Sequence, residues 1–498
     1  MGPASYARTL RNHGIVLLLM LATAVFSYTL FIHQSLRLDE AQTFWQVTRS
    51  PLGVLHTVGK DVHVPLYHIL IYLWQMVFGH GVETARAFSV LLFAVSVPLL
   101  VMLGNLIYKE RSTSIFAATI FALSPFMNWY GNDIRMYSLL VAVTILNQYF
   151  FIKIRRSDSA YAWWGYTLTG IIGIYTHYYF SLVLLAQAVF YFLYRAYFPV
   201  DSLKKFFLAG SAVLLSIVPW ITYVWYLGEV ANSQPLLPRP GLIELFNTFS
   251  YFLFGEQSYA VNSFVVALWP LIMLSWFFSL QKKKVRNPDT AYLLFSIVFA
   301  VGVAFLVSVA IRPVYLERYL IFTLPAFCLL VASMIDSYAL SARRIVKTCL
   351  IIAMLATLGI QAYNFDTPAK ENYAAATAYL AAHATPQDVI ILSAPFTVYP
   401  VEYYYQGPVA IRTLPIWDRY VPGPIPAFNA ATLPDQVARV TGKHERAWLL
   451  LSYDQGYEQE VLDYFDQHYE RLQSQTLSPG LTLLLYRLRY DVIPNATQ

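Results

Sequence analysis

Charge is scarce in this chain. Asp, Glu, Lys and Arg make up 12% of its 498 residues, against roughly 25% in a soluble globular domain. Too little charge remains to solvate a water-facing surface of this length. Cysteine is scarcer still. Cys328 and Cys349 are the only two, both in apolar segments, which excludes a disulfide framework and any CxxC metal or redox motif. No glycine-rich phosphate loop is present in the region after residue 364,. No clear internal repeat runs through the chain, and the alternation of barrel strands is missing.

Hydrophobic residues fill the space instead, at 57% of the sequence, in repeated apolar runs of about 20 residues. This pattern predicts a polytopic α-helical membrane protein. Hydropathy places spans near 14–33, 84–107, 113–129, 136–152, 161–177, 180–198, 207–227, 260–280, 291–311, 319–338 and 347–363, about eleven at the usual span length. The shorter stretch 65–79 reads as a re-entrant or interfacial helix. Arg8 and Arg11 precede the first run, which continues well past "ATA" at 22–24, so it reads as an uncleaved signal anchor.

The net charge of +6 does not point to nucleic acid, because the basic residues sit in short gaps between spans. With the N-terminus cytoplasmic, the cytoplasmic gaps are "YKERS", "KIRRS", "YRAYFPVDSLKK", "QKKKVR" and "ARRIVK", all basic as the positive-inside rule requires. Segments 35–83, 129–135, 228–259, 312–318 and the tail then face outward. The proline-containing loop 228–259 reads equally as a lid or as plain surface.

Two domains follow. Residues 1–363 form the multispanning domain, including a first outer loop at 35–83. Residues 364–498 form a small extracytoplasmic α/β domain: "ENYAAATAYLAAH" and "YEQEVLDYFDQHY" read as helices, "DVIILSA", "RAWLLLSY" and "TLLLYRL" as strands,.

The informative residues gather on the outer side. The first loop holds "SLRLDEAQTFW" and "KDVHVPLYH", with Arg37, Asp39, Glu40, Lys60, Asp61 and His63. "NWYGNDIRMYSL" supplies Asp133, Arg135 and Tyr137; "YTHYYF" supplies His177 and Tyr178; "IRPVYLERYLIFTLPAF" supplies Arg312, Glu317, Arg318 and Tyr319. Each alone has an ordinary explanation: charges snorkel at span ends, a lone histidine packs, aromatics form an interfacial belt. Together they resist that explanation, since ionisable residues at a bilayer mark sites by default. Neighbouring residues on a helix point about 100° apart, so Asp39 and Glu40 cannot address one reacting atom. One suits a general base and the other a brace. Arginine forks suit phosphate. A base beside phosphate clamps at the lipid boundary points to a substrate with a phosphate head and a long tail.

On "LDEAQTFW", "DVHVPLYHIL", "NDIRMYSL", "THYY" and "ERYLIFTLP", in that order, the sequence resembles the GT-C glycosyltransferases that use polyprenyl-phosphate-linked sugars. It is most similar to their bacterial branch of protein mannosyltransferase-like enzymes, lipid A aminoarabinose transferases and rhizobial galacturonosyltransferases. The resemblance covers residues 10–340 and, more loosely, the tail. It implies inverting transfer from a polyprenyl phosphate to a glycan, lipid or protein hydroxyl, in a bacterial inner membrane. Asp39 matches the family's base and Glu40 its support; Arg135 and Arg318, with His63 and Tyr319, would bind the donor phosphate. Arg37, Lys60, Asp61, Asp133, Tyr137, His177 and Tyr178 complete the candidate set. The resemblance implies no definite cofactor. Asp39, Asp61, His63 and Asp133 offer ligands to a hard divalent cation, although no spacing demands one. Two departures stand out: Val64 replaces the first proline of the family's His-Pro-Pro-Leu, and Asp133 replaces a glutamate. The rival readings are a transporter or lipid flippase and a non-catalytic scaffold.

Overall fold

A computed structural model describes residues 3–228, 237–267, 287–363, 371–421 and 425–488. Seven described helices are long and apolar enough to cross a membrane: His13–Phe31, Val82–Ile107, Tyr137–Ser157, Ser202–Leu227, Pro288–Ala310, Glu317–Ile335 and Leu340–Tyr363. The protein is a polytopic helical membrane protein with a small C-terminal sheet domain. Each of the seven falls on an expected span. The stretch expected at 113–129 is instead two helices, Arg111–Leu123 and Pro125–Asn132. The reason is local: Pro125 cannot continue a helix, and Ser124 caps the second one by accepting from the Met127 N–H at 3.1 Å. The stretches at 161–177 and 180–198 form the shorter helices Ala160–Thr176 and Phe180–Leu193. The span expected at 260–280 lies mostly outside the described residues, as does "QKKKVR". Leu66–Phe78 is a helix of 13 residues, too short to cross unaided. Part of the loop 228–259 is the helix Leu242–Phe254.

The chain divides into two compact units. One contains the membrane helices; the other comprises Gln34–Gln46 together with the C-terminal residues from Pro368. In the membrane unit Tyr137–Ser157 is the central helix, 83% buried over its apolar window against 17% for Leu340–Tyr363. Polar groups tie it to its neighbours. Gln187 Nε2 donates to Asn147 Oδ1 (2.7 Å) and Tyr292 Oη (3.0 Å), and Asn147 Nδ2 donates to Thr169 Oγ1 (3.0 Å). Four helices thus meet on one network, with donors paired as an apolar interior requires. At the end of the central helix Arg155 and Arg156 both grip the buried carboxylate of Asp289.

The C-terminal unit has a five-stranded sheet of order β2-β1-β3-β5-β4. The strands are β1 (Asp388–Ser393), β2 (Ile411–Thr413), β3 (Arg446–Ser452), β4 (Glu470–Ser478) and β5 (Leu481–Arg487). β1 runs parallel to β2 and β3; β5 is antiparallel to β3 and β4. Helices Leu433–Thr441 and Glu458–His468 cover one face through Val437, Val440, Val461 and Phe465, against Val389, Ile391, Leu449 and Leu484. Burial on both faces makes β1 and most of β3 continuous apolar runs,.

Candidate functional site

The membrane unit brings several expected residues together. Helix Pro51–Gly59 ends in close packing, where a Cβ on Gly59 would lie 2.8 Å from Leu227 Cδ1 and push that side chain aside. The chain then turns through Lys60 into Asp61. Asp61 Oδ1 accepts from the Val62 N–H at 2.7 Å, and Oδ2 accepts from His63 Nδ1 at 3.0 Å. Both side chains are 11% exposed. The other imidazole nitrogen, Nε2, is bonded to Arg135 Nη2. A guanidinium only donates, so Nε2 is the acceptor and the proton sits on Nδ1. His63 is thereby fixed as a neutral tautomer linking a carboxylate to an arginine.

Arg135 reaches this point from a tight turn in which its N–H donates to the Asp133 carbonyl at 2.7 Å. The turn lies between helices Pro125–Asn132 and Tyr137–Ser157. Asn132 Nδ2 donates to the Ser27 carbonyl (2.8 Å) and Ser138 Oγ to the Gly131 carbonyl (3.0 Å), which hold the turn. Asp133, Arg135 and Tyr137 are buried, Tyr137 with its ring 5.4 Å from Tyr130.

His177 lies within electrostatic reach of His63 and Arg135, and Tyr178 of Asp61. The His177 ring packs 5.5 Å from Tyr319, and Arg318 lies over the Tyr319 ring at 5.7 Å. Tyr179, absent from the sequence candidates, closes this group: its ring is 5.3 Å from Tyr319 and its hydroxyl donates to the Val314 carbonyl. Burial, with the Tyr319 phenol beside it, pushes the Tyr179 hydroxyl up, so it stays a donor. Tyr178 Oη accepts from Trp220 Nε1 at 3.1 Å.

Arg37, Asp39 and Glu40 belong to the other unit. Glu40 is fully buried, and its Oε2 accepts from the Arg37 N–H at 3.0 Å. This carboxylate turns back onto the first turn of helix Leu38–Gln46, where negative charge suits the helix N-terminus,. Asp39 is half-buried. The same helix rests on helix Val398–Tyr404 through Phe44 against Tyr403 and Trp45 against Tyr399, both at 5.1 Å.

The residues offered to a divalent cation are otherwise engaged. Both nitrogens of His63 are engaged, one by a guanidinium that would repel a metal. Among the described residues no three His, Cys, Asp or Glu side chains converge as a cation site. Arg86, outside the candidate set, is fully buried, and its Nη1 donates to the Ile32 carbonyl at 2.9 Å. Its signal was a lone arginine in the apolar run "ETARAFSVLL".

This fold is shared with solved membrane glycosyltransferases. ArnT from Cupriavidus metallidurans in the apo state matches with a TM-score of 0.61 at 11% identity, over 94% of this chain and 97% of ArnT. The same protein bound to undecaprenyl phosphate gives 0.59, with the same identity and coverage. The oligosaccharyltransferase of Archaeoglobus fulgidus, in complex with Zn and sulfate, gives 0.50 at 11% identity, over 94% of this chain and 72% of its own. Arabinofuranosyltransferase AftD from Mycobacteria gives 0.50 at 14%, over 95% and 40%. No family model and no curated protein sequence matches the chain. What the likeness shows is the fold: the chain has the GT-C fold.

Proposed function

We propose that this chain is an inverting glycosyltransferase that moves a sugar from a polyprenyl phosphate to an acceptor hydroxyl on the outer face of a bacterial plasma membrane. The observation that carries the reading is the Asp61–His63–Arg135 chain, in a fold shared with ArnT, which has been solved with undecaprenyl phosphate. A neutral histidine between carboxylate and guanidinium positions the arginine without supplying a second negative charge at its Nη2. That arrangement suits a phosphate clamp.

In the proposed reaction Asp39 takes the proton of the acceptor hydroxyl. The hydroxyl oxygen bonds to the anomeric carbon from the face opposite the phosphate, and the anomeric carbon–oxygen bond to phosphate breaks. The bonding pair leaves with the lipid phosphate, whose added charge Arg135 and Arg318 stabilise. Glu40 acts through the helix that carries Asp39. The N-terminus is cytoplasmic and the C-terminal unit lies outside, by the positive-inside argument.

The test is sugar transfer from a labelled polyprenyl-phosphate sugar by the protein in lipid nanodiscs. Asp39→Asn lowers the rate by about 10²–10⁴-fold, the usual worth of a general base, with unchanged folding. Arg318→Ala weakens donor use by about tenfold, as expected for one charge-assisted hydrogen bond. Full transfer by the Asp39 variant removes the base. A wild-type protein that moves the lipid across vesicles without making a glycosidic bond supports the flippase instead.

A further inference from the structure

The C-terminal unit contains a cluster that the phosphate chemistry does not use. After β2 the loop through residue 421 is held by hydrogen bonds of its own and by one to helix Leu433–Thr441. The Trp417 N–H donates to Thr413 Oγ1 (2.8 Å), Thr413 Oγ1 donates to the Trp417 carbonyl (3.2 Å), and the Ile416 N–H donates to Gln436 Oε1 (2.9 Å). This built loop carries Trp417, Arg419 and Tyr420.

The Arg419 side chain is only 6% exposed. Its Nη2 donates to Glu402 and, at 3.1 Å, to Tyr420 Oη. Its Nε and Nη1 are buried with no hydrogen-bond partner among the described residues, and so is Trp417 Nε1. The guanidinium lies 5.3 Å from the Trp45 and Tyr399 rings and 5.0 Å from Tyr420. Ring faces steady a cation, but they do not replace the in-plane oxygen acceptors that guanidinium and indole N–H groups seek. Buried donors left unmet are costly and uncommon in native proteins, and three in one short loop call for an explanation.

The unmet groups are all donors, so the missing partner is rich in acceptor oxygens. It is not a simple anion, because Glu402 already neutralises the guanidinium and Asp418 adds negative charge beside it in sequence. Aromatic rings line the place, with Tyr420 68% exposed. Hydroxyl and ring oxygens over aromatic faces describe a neutral sugar. Trp45 sits on the helix that also carries Asp39, six residues along, which is about 9 Å of helix. We propose that Trp45, Tyr399, Trp417, Arg419 and Tyr420 form the subsite that holds a neutral saccharide of the acceptor. This inference rests on the glycosyltransferase reading, since it names the acceptor's chemistry for that reaction.

The experiment uses full-length protein in nanodiscs and two separate measurements. Saturation-transfer NMR titrates methyl glycosides of glucose, galactose and mannose, with galacturonic acid and inorganic phosphate as the anionic arms. Native mass spectrometry follows undecaprenyl phosphate. Wild type binds at least one neutral glycoside at millimolar concentration and prefers it to either anion. Trp417→Phe, which removes one N–H and keeps a ring, weakens that binding about fivefold, the worth of one hydrogen bond. Arg419→Gln weakens it further, and neither variant changes undecaprenyl phosphate binding. Equal glycoside binding by wild type and Trp417→Phe overturns the subsite, as does preference for an anion or no glycoside binding by wild type. Should Arg419→Gln fail to fold, Trp417→Phe carries the test alone. Loss of undecaprenyl phosphate binding in wild type would sink the donor assignment while leaving the glycoside result standing.

Discussion

Two clusters in the C-terminal unit use the same three parts, an arginine, a tryptophan and a carboxylate, to opposite ends. In the first, Asp388 accepts from Arg446 Nε and Nη2, both at 2.8 Å, from Trp448 Nε1 at 3.1 Å and from the Thr385 N–H at 2.8 Å. Both guanidinium nitrogens that reach it, and the indole, are spent on one buried acceptor that locks β1 to β3. In the second, Glu402 accepts from Arg419 Nη2, while two further arginine donors and the Trp417 indole stay unmet among the described residues. A satisfied cluster stabilises a fold. An unsatisfied one costs stability, and its persistence marks a place where something else binds.

The comparison can be broken by mutation. Asp388→Ala has the largest effect, because it strands Arg446 and Trp448. Losing a buried partner costs 3–5 kcal/mol, but Arg446 is 32% exposed, so water recovers part of it and about 2 kcal/mol remains. Hydrogen exchange of the β1 and β3 amides should speed up about 30-fold. Exchange that stays unchanged would show that this cluster is not what locks the strands.

The tryptophans sharpen the contrast. Trp448→Phe removes a used donor and leaves a gap in the sheet's core, costing about 1–2 kcal/mol. Trp417→Phe removes an unused donor and stays within about 0.5 kcal/mol of wild type. Equal costs at both positions would erase the distinction between the clusters.

Acid gives the smallest effect. Burial alone would raise the Asp388 carboxyl, but the Arg446 bonds outweigh it, with help from the Thr385 N–H and Trp448, and hold it below its ordinary 3.8. The folded carboxylate therefore binds its proton less readily than the unfolded one. Its contribution is full above about pH 4 and fades as pH falls further. Hydrogen exchange at β1 should accelerate on that acid side in wild type and not in Asp388→Ala.

How far the sequence reaches is visible in these same elements. β1, β3 and β5 announce themselves as apolar runs. β4, "ERLQSQTLS", is a largely exposed edge strand with almost nothing apolar to repeat, and β2 is three residues long. Period-based reading misses both. The charged motifs of the membrane unit were legible because ionisable residues stand out against apolar spans. That His63 links Asp61 to Arg135 was not, since those residues meet only through folding. Trp417 and Arg419 lie in an irregular loop, where no period exposes them.

The break at Ser124–Pro125 has a consequence for how the membrane unit is made. A helix interrupted within lipid exposes carbonyls, each costly in hydrocarbon. Here Asn128 Nδ2 donates to the Ala122 and Ser124 carbonyls at 2.8 and 2.9 Å, so the segment brings its own remedy within a few residues. It can partition from the insertion machinery into lipid with those two carbonyls already answered, before helix Leu242–Phe254 has been synthesised to receive Ser124 Oγ at the Phe252 carbonyl.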